Sequence, residues 1–257
     1  MGIEIKNVSK SYQLGNGQKI QVLNQISLTI NKGEYLCFLG PSGCGKSTLL
    51  RLLAGIETYE FGEITCDGQL MIGPSPERGF VFQDYALFPW LTVRQNIEFG
   101  LEIRKVPKKE RKEISHYYLQ MMNLSEVADA YPSQISGGMK QRVAIARVLS
   151  LKPSLLLMDE PFGALDAITR MQLQEELIRI WQMEKITIIF VTHDVEEAIY
   201  LGSRVVVMGT RPSKIKGVLD IPLPRPRNRT AAEFGKLREA ALNILGFRLL
   251  EAKNYVS

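Results

Sequence analysis

The sequence of 257 residues contains no apolar run long enough to cross a lipid bilayer. Such a span needs roughly 20 consecutive apolar residues, and charged side chains already interrupt the first stretch of the chain at Glu4 and Lys6. No signal-peptide pattern stands at the beginning of the sequence. We therefore expect a cytoplasmic protein that reaches a membrane only through a partner.

Cysteine and histidine are both scarce, with three and two residues respectively. The spacing of Cys37, Cys44 and Cys66 fits no metal-ligand pattern, and an odd, sparse set predicts reduced thiols rather than a disulfide framework. Tandem repeats and low-complexity segments are also missing from the sequence. These absences favour an ordinary globular protein of one or two domains.

The net charge of +5 raises the question of a nucleic-acid partner. The basic residues occur in short clusters, however, and the first of these alternates with Glu110 and Glu113 at helical spacing. We interpret the basic residues as solvated surface and expect no nucleic-acid partner. The two clusters comprise Lys108, Lys109, Arg111 and Lys112, and, in a proline-rich segment, Arg225, Arg227 and Arg229.

The strongest motif is the nine-residue stretch GPSGCGKST, which matches the phosphate-loop pattern G-x-x-x-x-G-K-[ST]. A short apolar strand is predicted before it and a Leu-rich helix after it, which is the context that the motif needs. We expect backbone N–H groups to wrap a phosphate chain, Lys46 to reach the terminal phosphates and Ser47 to ligate Mg²⁺. The residues are Gly40, Pro41, Ser42, Gly43, Cys44, Gly45, Lys46, Ser47 and Thr48.

A second helix start suited to an anion follows at Ser136, Gly137 and Gly138. Serine is a preferred helix cap, and the residues after it favour a helix that continues to about Leu149. A helix N-terminus with two glycines leaves its backbone N–H groups accessible to an anion. The sequence therefore predicts a second anion-binding helix N-terminus.

Two carboxylates, Asp159 and Glu160, end a fully apolar strand at residues 155–158. The carboxyl ends of strands are where doubly wound sheets bind ligands. Successive strand residues point in opposite directions, so Asp159 suits Mg²⁺ binding and Glu160 suits polarising an attacking water. The alternative is an acidic helix cap. His193 likewise follows a β-branched strand, where it is either structural or within reach of a γ-phosphate.

Two aromatic features stay open at this stage. Tyr12 could stack on a base or simply cover the opening β-structure. The run YALFPWL at residues 85–91 cannot form a regular helix because it contains Pro89. It forms either a loop over the core or a docking surface for a hydrophobic partner helix.

In their order along nearly the whole chain, these motifs resemble those of ATP-binding cassette (ABC) transporter ATPases. The signature carries Ile135 and Lys140 where Leu and Gln are commoner, but its Ser-Gly-Gly element is intact. The matching elements are Tyr12 as the adenine-stacking aromatic, residues 40–48 as Walker A, Gln83 as the Q-loop glutamine, residues 135–141 as the signature, residues 155–160 as Walker B with the catalytic glutamate, residues 164–166 as the D-loop and His193 as the switch histidine.

The resemblance implies an α/β fold with a P-loop NTPase core and a mainly parallel sheet. An N-terminal antiparallel β-subdomain and an inserted α-helical subdomain, at about residues 84–150, complete the expected cassette. The cassette is expected to be one domain over residues 1–229, and a C-terminal helical tail is expected at residues 230–257.

The resemblance also implies the mechanism. Two ATPase subunits would face each other head to tail, with each ATP held between Walker A of one and Ser136, Gly137, Gly138 and Asp166 of the other. Glu160, His193 and Gln83 would act in catalysis, and Ser47, Gln83 and Asp159 would hold Mg²⁺. The subunit would sit on the cytoplasmic face of the membrane, contact permease subunits near residues 83–90, and meet a substrate-binding protein only indirectly.

Finer features resemble the importers of nitrate, sulfonate, taurine and bicarbonate. They are VFQ with LFPW at residues 81–90, DAITR at residues 166–170 and DIPLPRPR at residues 220–227. Three alternative functions are less favoured. A soluble ABC ATPase of DNA repair or translation predicts a coiled-coil insertion or two cassettes, but the sequence shows one cassette and no sustained heptads. A subunit that does not hydrolyse ATP predicts loss of Glu160 or His193, but both are present, and a small-molecule kinase does not need the signature.

Overall fold

A computed structural model describes residues 2–15 and 17–247. The described chain forms two compact units. One comprises residues 73–189 and is called the helical unit here. The other comprises residues 2–72 together with the chain from residue 190 onward, and is called the phosphate-loop unit.

Strands predominate in the first third of the chain, three α-helices follow in succession, and strands and helices alternate from there to residue 208. The strands are β1 (Ile3–Gln13), β2 (Lys19–Ile30), β3 (Tyr35–Leu39), β4 (Phe61–Cys66), β5 (Gln69–Leu70), β6 (Arg78–Val81), β7 (Leu155–Asp159), β8 (Thr187–Thr192), β9 (Arg204–Met208) and β10 (Ile215–Asp220). The helices are α1 (Lys46–Ala54), α2 (Val93–Ile103), α3 (Lys108–Met121), α4 (Gly137–Leu149), α5 (Ala167–Glu184), α6 (Val195–Leu201) and α7 (Ala232–Leu245). Two 3₁₀ turns lie at Ser125–Val127 and Pro132–Gln134.

The phosphate-loop unit opens with an antiparallel sheet in the order β2-β1-β4-β5. The sequence predicts two short strands at residues 20–23 and 27–30, but these are one strand, β2, which pairs with β1 from Lys19 to Ile30. The sequence pattern predicts the first strand over residues 3–8, but β1 continues to Gln13 through register shifts in its pairing with β2. The antiparallel N-terminal β-structure predicted from the sequence is therefore confirmed.

A second set of strands carries the phosphate loop. Strand β3 is wholly buried and pairs in parallel with β9, so that Leu39 lies opposite Val207. Strand β10 is antiparallel to β9 and occupies the edge, as the sequence predicts for residues 215–221. Strand β8 lies on the other side of β3. The mainly parallel sheet that the resemblance implies is thereby confirmed, with β10 as its antiparallel edge strand.

The helical unit contains a parallel strand pair and four helices. Strand β6 pairs with β7 so that Val81 lies opposite Met158. The helical pattern predicted over residues 93–149 resolves into α2, α3 and α4, and Pro107 stands immediately before α3. Within the described chain, every helix is too short or too polar to serve as a membrane-spanning segment.

The second basic cluster is not solvated surface, so that expectation was wrong. Arg227 is 7% exposed and donates hydrogen bonds to backbone carbonyls at the C-terminal end of α6 and just after β10. Arg225 binds the carbonyls of Tyr200 and Leu201. Cations are favourable at a helix C-terminus, where carbonyls lack intrahelical partners. Burial nevertheless lowers the pKa of Arg227 to about 10.

The first basic cluster does lie at the surface, since Lys108, Lys109 and Lys112 are exposed on α3. Helix α7 matches most of the first half of the predicted C-terminal tail. Residues 248–257 of that tail lie outside the described residues. The predicted domain boundaries therefore stay a prediction.

Replacing Arg227 with Met should lower the free energy of unfolding by about 2–4 kcal/mol, because several buried carbonyls lose their donor at once. Arg238 provides a matched control, since it makes one ion pair with Glu196 and both side chains are about half exposed. Arg238→Met should cost less than about 1 kcal/mol. Urea unfolding followed by circular dichroism measures both, and equal losses would contradict the anchoring role of Arg227.

Candidate functional site

The phosphate loop runs from the end of β3 into α1. Gly45 stands at the N-cap of α1 with φ 112°, and a Cβ atom there would lie 2.9 Å from side-chain atoms of Val22 and Leu23. Only glycine fits this left-handed, closely packed position. In the stretch from Gly45 to Ala54, no side chain caps the helix and the first turn carries no acidic residue. The positive end of α1 is therefore directed at the loop.

Lys46 folds back over the loop and is 2% exposed. Its Nζ atom donates to the backbone carbonyls of Gly40, at 2.8 Å, and Pro41, at 3.0 Å. The ammonium is thus held at the mouth of the loop, where phosphate oxygens would be recognised. Ser47 follows in the first turn of α1, and its hydroxyl supplies an oxygen of the kind that Mg²⁺ prefers.

Arg211 is a second cation at the loop, and sequence reasoning missed it. Its Nε atom donates to the carbonyl of Gly43. Arg211 follows β9, the parallel neighbour of β3, and lies 168 residues from its partner in the sequence. No local pattern signals such a contact. The structure therefore adds one positive charge to those predicted at the loop.

Tyr12 lies beside α1. Its hydroxyl group donates to the carboxylate of Glu57 and lies 3.4 Å from Oγ1 of Thr48. Glu57 in turn pairs with Arg51 at 3.5 Å. Burial, and secondarily the bond to Glu57, raises the pKa of the Tyr12 hydroxyl. The structure thus brings Tyr12 to the phosphate loop, and Glu57 is a supporting residue that sequence reasoning missed.

His193 follows β8, the strand next to β3. Its side chain is exposed rather than packed in the core. The next residue, Asp194, caps α6 by accepting from the N–H groups of Glu196 and Glu197 at 2.9 and 3.2 Å. The predicted position of His193 at a strand end is therefore confirmed, whereas its contact with phosphate stays a prediction.

In the helical unit, the predicted acidic pair stands at the end of β7. Asp159 is 6% exposed, whereas the side chain of Glu160 is partly exposed. Glu160 has a left-handed backbone with φ 42°, which is unusual for a residue other than glycine. Such backbone strain is concentrated at functional sites.

Gln83 lies near the same strand ends. It is the second residue after β6, the parallel neighbour of β7, and its side chain is exposed. Because paired parallel strands end at the same edge of a sheet, Gln83 and Asp159 leave adjacent strands at that edge. A carboxylate and an amide oxygen form a donor set that fits Mg²⁺.

The signature residues begin α4 as the sequence predicts. The hydroxyl of Ser136 accepts a hydrogen bond from the N–H group of Met139 at 3.3 Å. Gly138 packs against α5, and a Cβ atom on it would lie 2.5 Å from Cγ2 of Thr169. Asp166 caps α5 by accepting from Ile168 and Thr169, and the bond from the Thr169 N–H group is the main cause of its lowered pKa. The structure therefore brings Asp166 and the signature together.

The aromatic run at residues 85–91 forms an irregular loop, as Pro89 predicts. Asn96, at 0% exposure, holds it by accepting from the N–H group of Phe88 at 2.9 Å and donating to three carbonyls, those of Phe88, Leu91 and Thr92. The ring of Phe88 packs on Phe99, with centroids 4.3 Å apart. Trp90 is 68% exposed, so its ring does not cover the core, and the docking role of the loop stays a prediction.

Residues 23–163 match the protein-family model described as ABC transporter. The chain belongs to this family. It is 49% identical to an uncharacterized ABC transporter ATP-binding protein of Methanocaldococcus jannaschii over 97% of this chain and 93% of that protein. It is also 49% identical to the nitrate import ATP-binding protein NrtD of Synechocystis sp., over 90% and 88% of the two chains.

A third relative is the aliphatic sulfonates import ATP-binding protein SsuB of Bacillus cereus, which is 46% identical over 94% of this chain and 95% of that protein. Among solved structures, a dimer of the ATP-binding cassette MJ0796 in a post-hydrolysis state with ADP and Pi matches with a TM-score of 0.76. It is 31% identical and covers 86% of this chain and 100% of that one. The fold class and the resemblance stated above are confirmed, and the chain is an ATP-hydrolysing subunit of an ABC transporter.

Replacing Gly138 with Ala should destabilise the protein by about 1–3 kcal/mol, because the new methyl group meets Cγ2 of Thr169. Thr169→Ser removes that methyl group and should rescue the Gly138→Ala variant. Thermal unfolding of the wild type, both single variants and the double variant measures the interaction. If the two changes simply add, the close packing of α4 on α5 is not the reason for glycine at this position.

Proposed function

We propose that this ABC transporter subunit binds ATP with its phosphate loop and presents its signature to the ATP of a second ATPase subunit, identical or paralogous. The observation that carries the proposal is the pair of helix N-termini, at Gly45 and Ser136, that each suit an anion. They belong to separate units of the chain. A shared site gives both helix ends a phosphate partner.

In the proposed binding step, residues 40–48 surround the phosphate chain and Lys46 neutralises its terminal charge. Tyr12 stacks on the base, and Glu57 holds its hydroxyl group so that the ring keeps its direction. ATP would supply the γ-phosphoryl group, and Mg²⁺ bound with it would supply positive charge that stabilises the transfer. Ser47, Asp159 and Gln83 are the oxygen donors proposed for the metal.

In the proposed hydrolytic step, Glu160 orients and polarises the attacking water, while His193 and Gln83 contact the γ-phosphate region. Positioning and charge stabilisation account for most catalysis of this kind. Ser136, Gly137 and Gly138, with Asp166, act on the nucleotide of the opposite subunit. Hydrolysis would then require the two subunits to close on the bound ATP.

The proposed partner at the membrane is a permease, contacted by the loop at residues 83–90. The exposed ring of Trp90 supports this docking surface, because a large exposed aromatic side chain can pack against a hydrophobic helix of the partner. The subunit would then lie on the cytoplasmic face of the membrane, with a substrate-binding protein reached only through the permease. Relatives named for nitrate and aliphatic sulfonate import support a small anion as the cargo.

Glu160→Gln should lower ATP turnover by about a hundredfold or more, because the amide cannot accept a proton from water. Binding of ATP should be kept, since the amide has the shape of the carboxylate. Steady-state phosphate release and equilibrium nucleotide binding measure the two effects. Glu175→Gln, which removes an exposed carboxylate from α5, is the control. Turnover near the wild-type rate in Glu160→Gln contradicts the proposed role.

Ser136→Arg should prevent ATP-dependent dimer formation although it leaves the phosphate loop intact, because a bulky cation then covers the N-terminus of α4. Light scattering of the Glu160→Gln protein, with and without ATP, reports the dimer. Ser133→Arg adds the same charge at a nearby exposed position and should dimerise normally. A Ser136→Arg protein that dimerises as well as this control would exclude the signature from the shared site.

A further inference from the structure

The proposed docking loop, residues 83–90, is bound to the C-terminal half of α4 by Arg147. The guanidinium donates to the carbonyl of Ala86 at 2.7 Å and to that of Tyr85 at 3.2 Å. Its carbon atom also lies 5.5 Å from the ring centroid of Phe88. The fork of an arginine can hold two successive carbonyls at once, which fixes the loop in direction as well as distance. Burial lowers the pKa of Arg147, as expected for a cation in a packed position.

The same loop also approaches the N-terminal end of α4 through Tyr85. A Cβ atom on Gly137 would lie 3.1 Å from the Tyr85 hydroxyl oxygen. Gly137 is the first residue of α4 and the middle residue of the Ser-Gly-Gly element. One side chain therefore connects the docking loop with the signature, while its own backbone carbonyl is held by Arg147.

The backbone of the docking loop has an unfavourable conformation, which the hydrogen bonds from Arg147 help to maintain. Tyr85 and Ala86 both have positive φ, 24° and 47°, where residues other than glycine are disfavoured. Two such residues in succession are strained, and this backbone conformation persists only when their surroundings hold it. Arg147 binds the carbonyls of these same two residues.

We propose that Tyr85 and Arg147 clamp the docking loop to α4, so that movement of the signature at one end of this helix is transmitted directly to the loop. Both are positioning residues, since neither is assigned to the nucleotide or the metal. What binds at each end of this connection rests on the function proposed above. The clamp itself is a property of the helical unit and can be tested without a partner.

Trp90 offers a spectroscopic reporter for the clamp, because the sequence contains only one other tryptophan, Trp181. The parent protein carries Trp181→Phe and Glu160→Gln, so that Trp90 is its only tryptophan and can be excited selectively, and hydrolysis is slow. Acrylamide quenching of Trp90 is measured with and without ATP and Mg²⁺, and light scattering reports the dimer. The test variants are Tyr85→Phe, Arg147→Gln and Arg147→Lys.

Arg104→Gln is the matched control. Arg104 also donates to two backbone carbonyls of the helical unit, those of Leu151 and Pro76, both at 3.0 Å, but it does not hold the docking loop. Loss of an arginine strut elsewhere in the unit should leave the Trp90 signal unchanged. Thermal unfolding of each variant shows that it is folded at the temperature of the measurement.

Without nucleotide, Arg147→Gln should increase quenching of Trp90 relative to Arg104→Gln, because the loop is released. Quenching in Arg147→Lys should be intermediate between those two variants, since the lysine ammonium keeps the charge but cannot bind two carbonyls as the forked guanidinium does. Equal quenching in Arg147→Gln and Arg104→Gln would overturn the clamp. This comparison does not depend on dimer formation.

With ATP, the parent should show a change in Trp90 quenching that Arg147→Gln and Tyr85→Phe reduce at least roughly fivefold, the lower end of ordinary coupling between sites. Those variants should still form the ATP dimer. Full responses in both variants, or a parent dimer in which Trp90 does not respond, would overturn transmission through the clamp. A parent that forms no dimer contradicts the shared ATP site instead, and the nucleotide-free comparison then still decides the clamp.

Discussion

Binding an anion at a helix N-terminus requires backbone N–H groups that no side chain covers, and this constraint shapes both units. In α1 it is met by starting the helix at Gly45 without a side-chain cap. In α4, Ser136 caps the helix but occupies only the N–H group of Met139, and the next two positions are glycines. Each glycine in a helix costs up to about 1 kcal/mol relative to alanine. The cost is offset where neighbours pack into the space, as Thr169 does at Gly138.

A second conformational free-energy cost arises at Glu160, whose backbone is left-handed. The buried strand β7 ends in Asp159, and the chain then turns sharply through Glu160 with positive φ. The carbonyl of Glu160 accepts from the N–H group of Gly163 at 3.2 Å, and Phe162 in the same turn is fully buried. A residue held in this way has little freedom to reorient. A carboxylate intended to orient one water molecule gains from such preorganisation, which is why strain at this position suits the proposed role.

Much of this architecture was predictable because its signals are local. The sequence pattern predicts a helix over residues 195–201 and a strand over residues 204–208, which are the observed bounds of α6 and β9. The phosphate loop and the starts of α1 and α4 follow from short motifs. The C-terminal end of β1 and the continuity of β2 were missed because both depend on irregularities in the pairing of these two strands. The tiny strand β5 was missed because two residues carry no periodicity.

The contacts that support the site were not predictable for a different reason. Arg147 and Ala86 are 61 residues apart, and Arg211 and Gly43 are 168 residues apart. For neither pair does the local sequence around either residue predict the contact. Glu57 carries no motif that links it to Tyr12, 45 residues earlier. Motifs therefore predict the residues proposed to face a ligand, whereas the residues that hold them in place are identified only from the folded structure.

The arginine contacts described above change the interpretation of the net positive charge of the chain. Several arginine side chains donate hydrogen bonds to backbone carbonyls of irregular segments, including the phosphate loop, the docking loop and the segment after α6. Loops near a site cannot satisfy their carbonyls through helix or sheet pairing, and a buried carbonyl without a donor is costly. The planar fork of arginine meets that need where lysine would supply a single point of contact. Part of the excess of cations over anions is thus internal structure, which weakens any inference from net charge to a nucleic-acid partner.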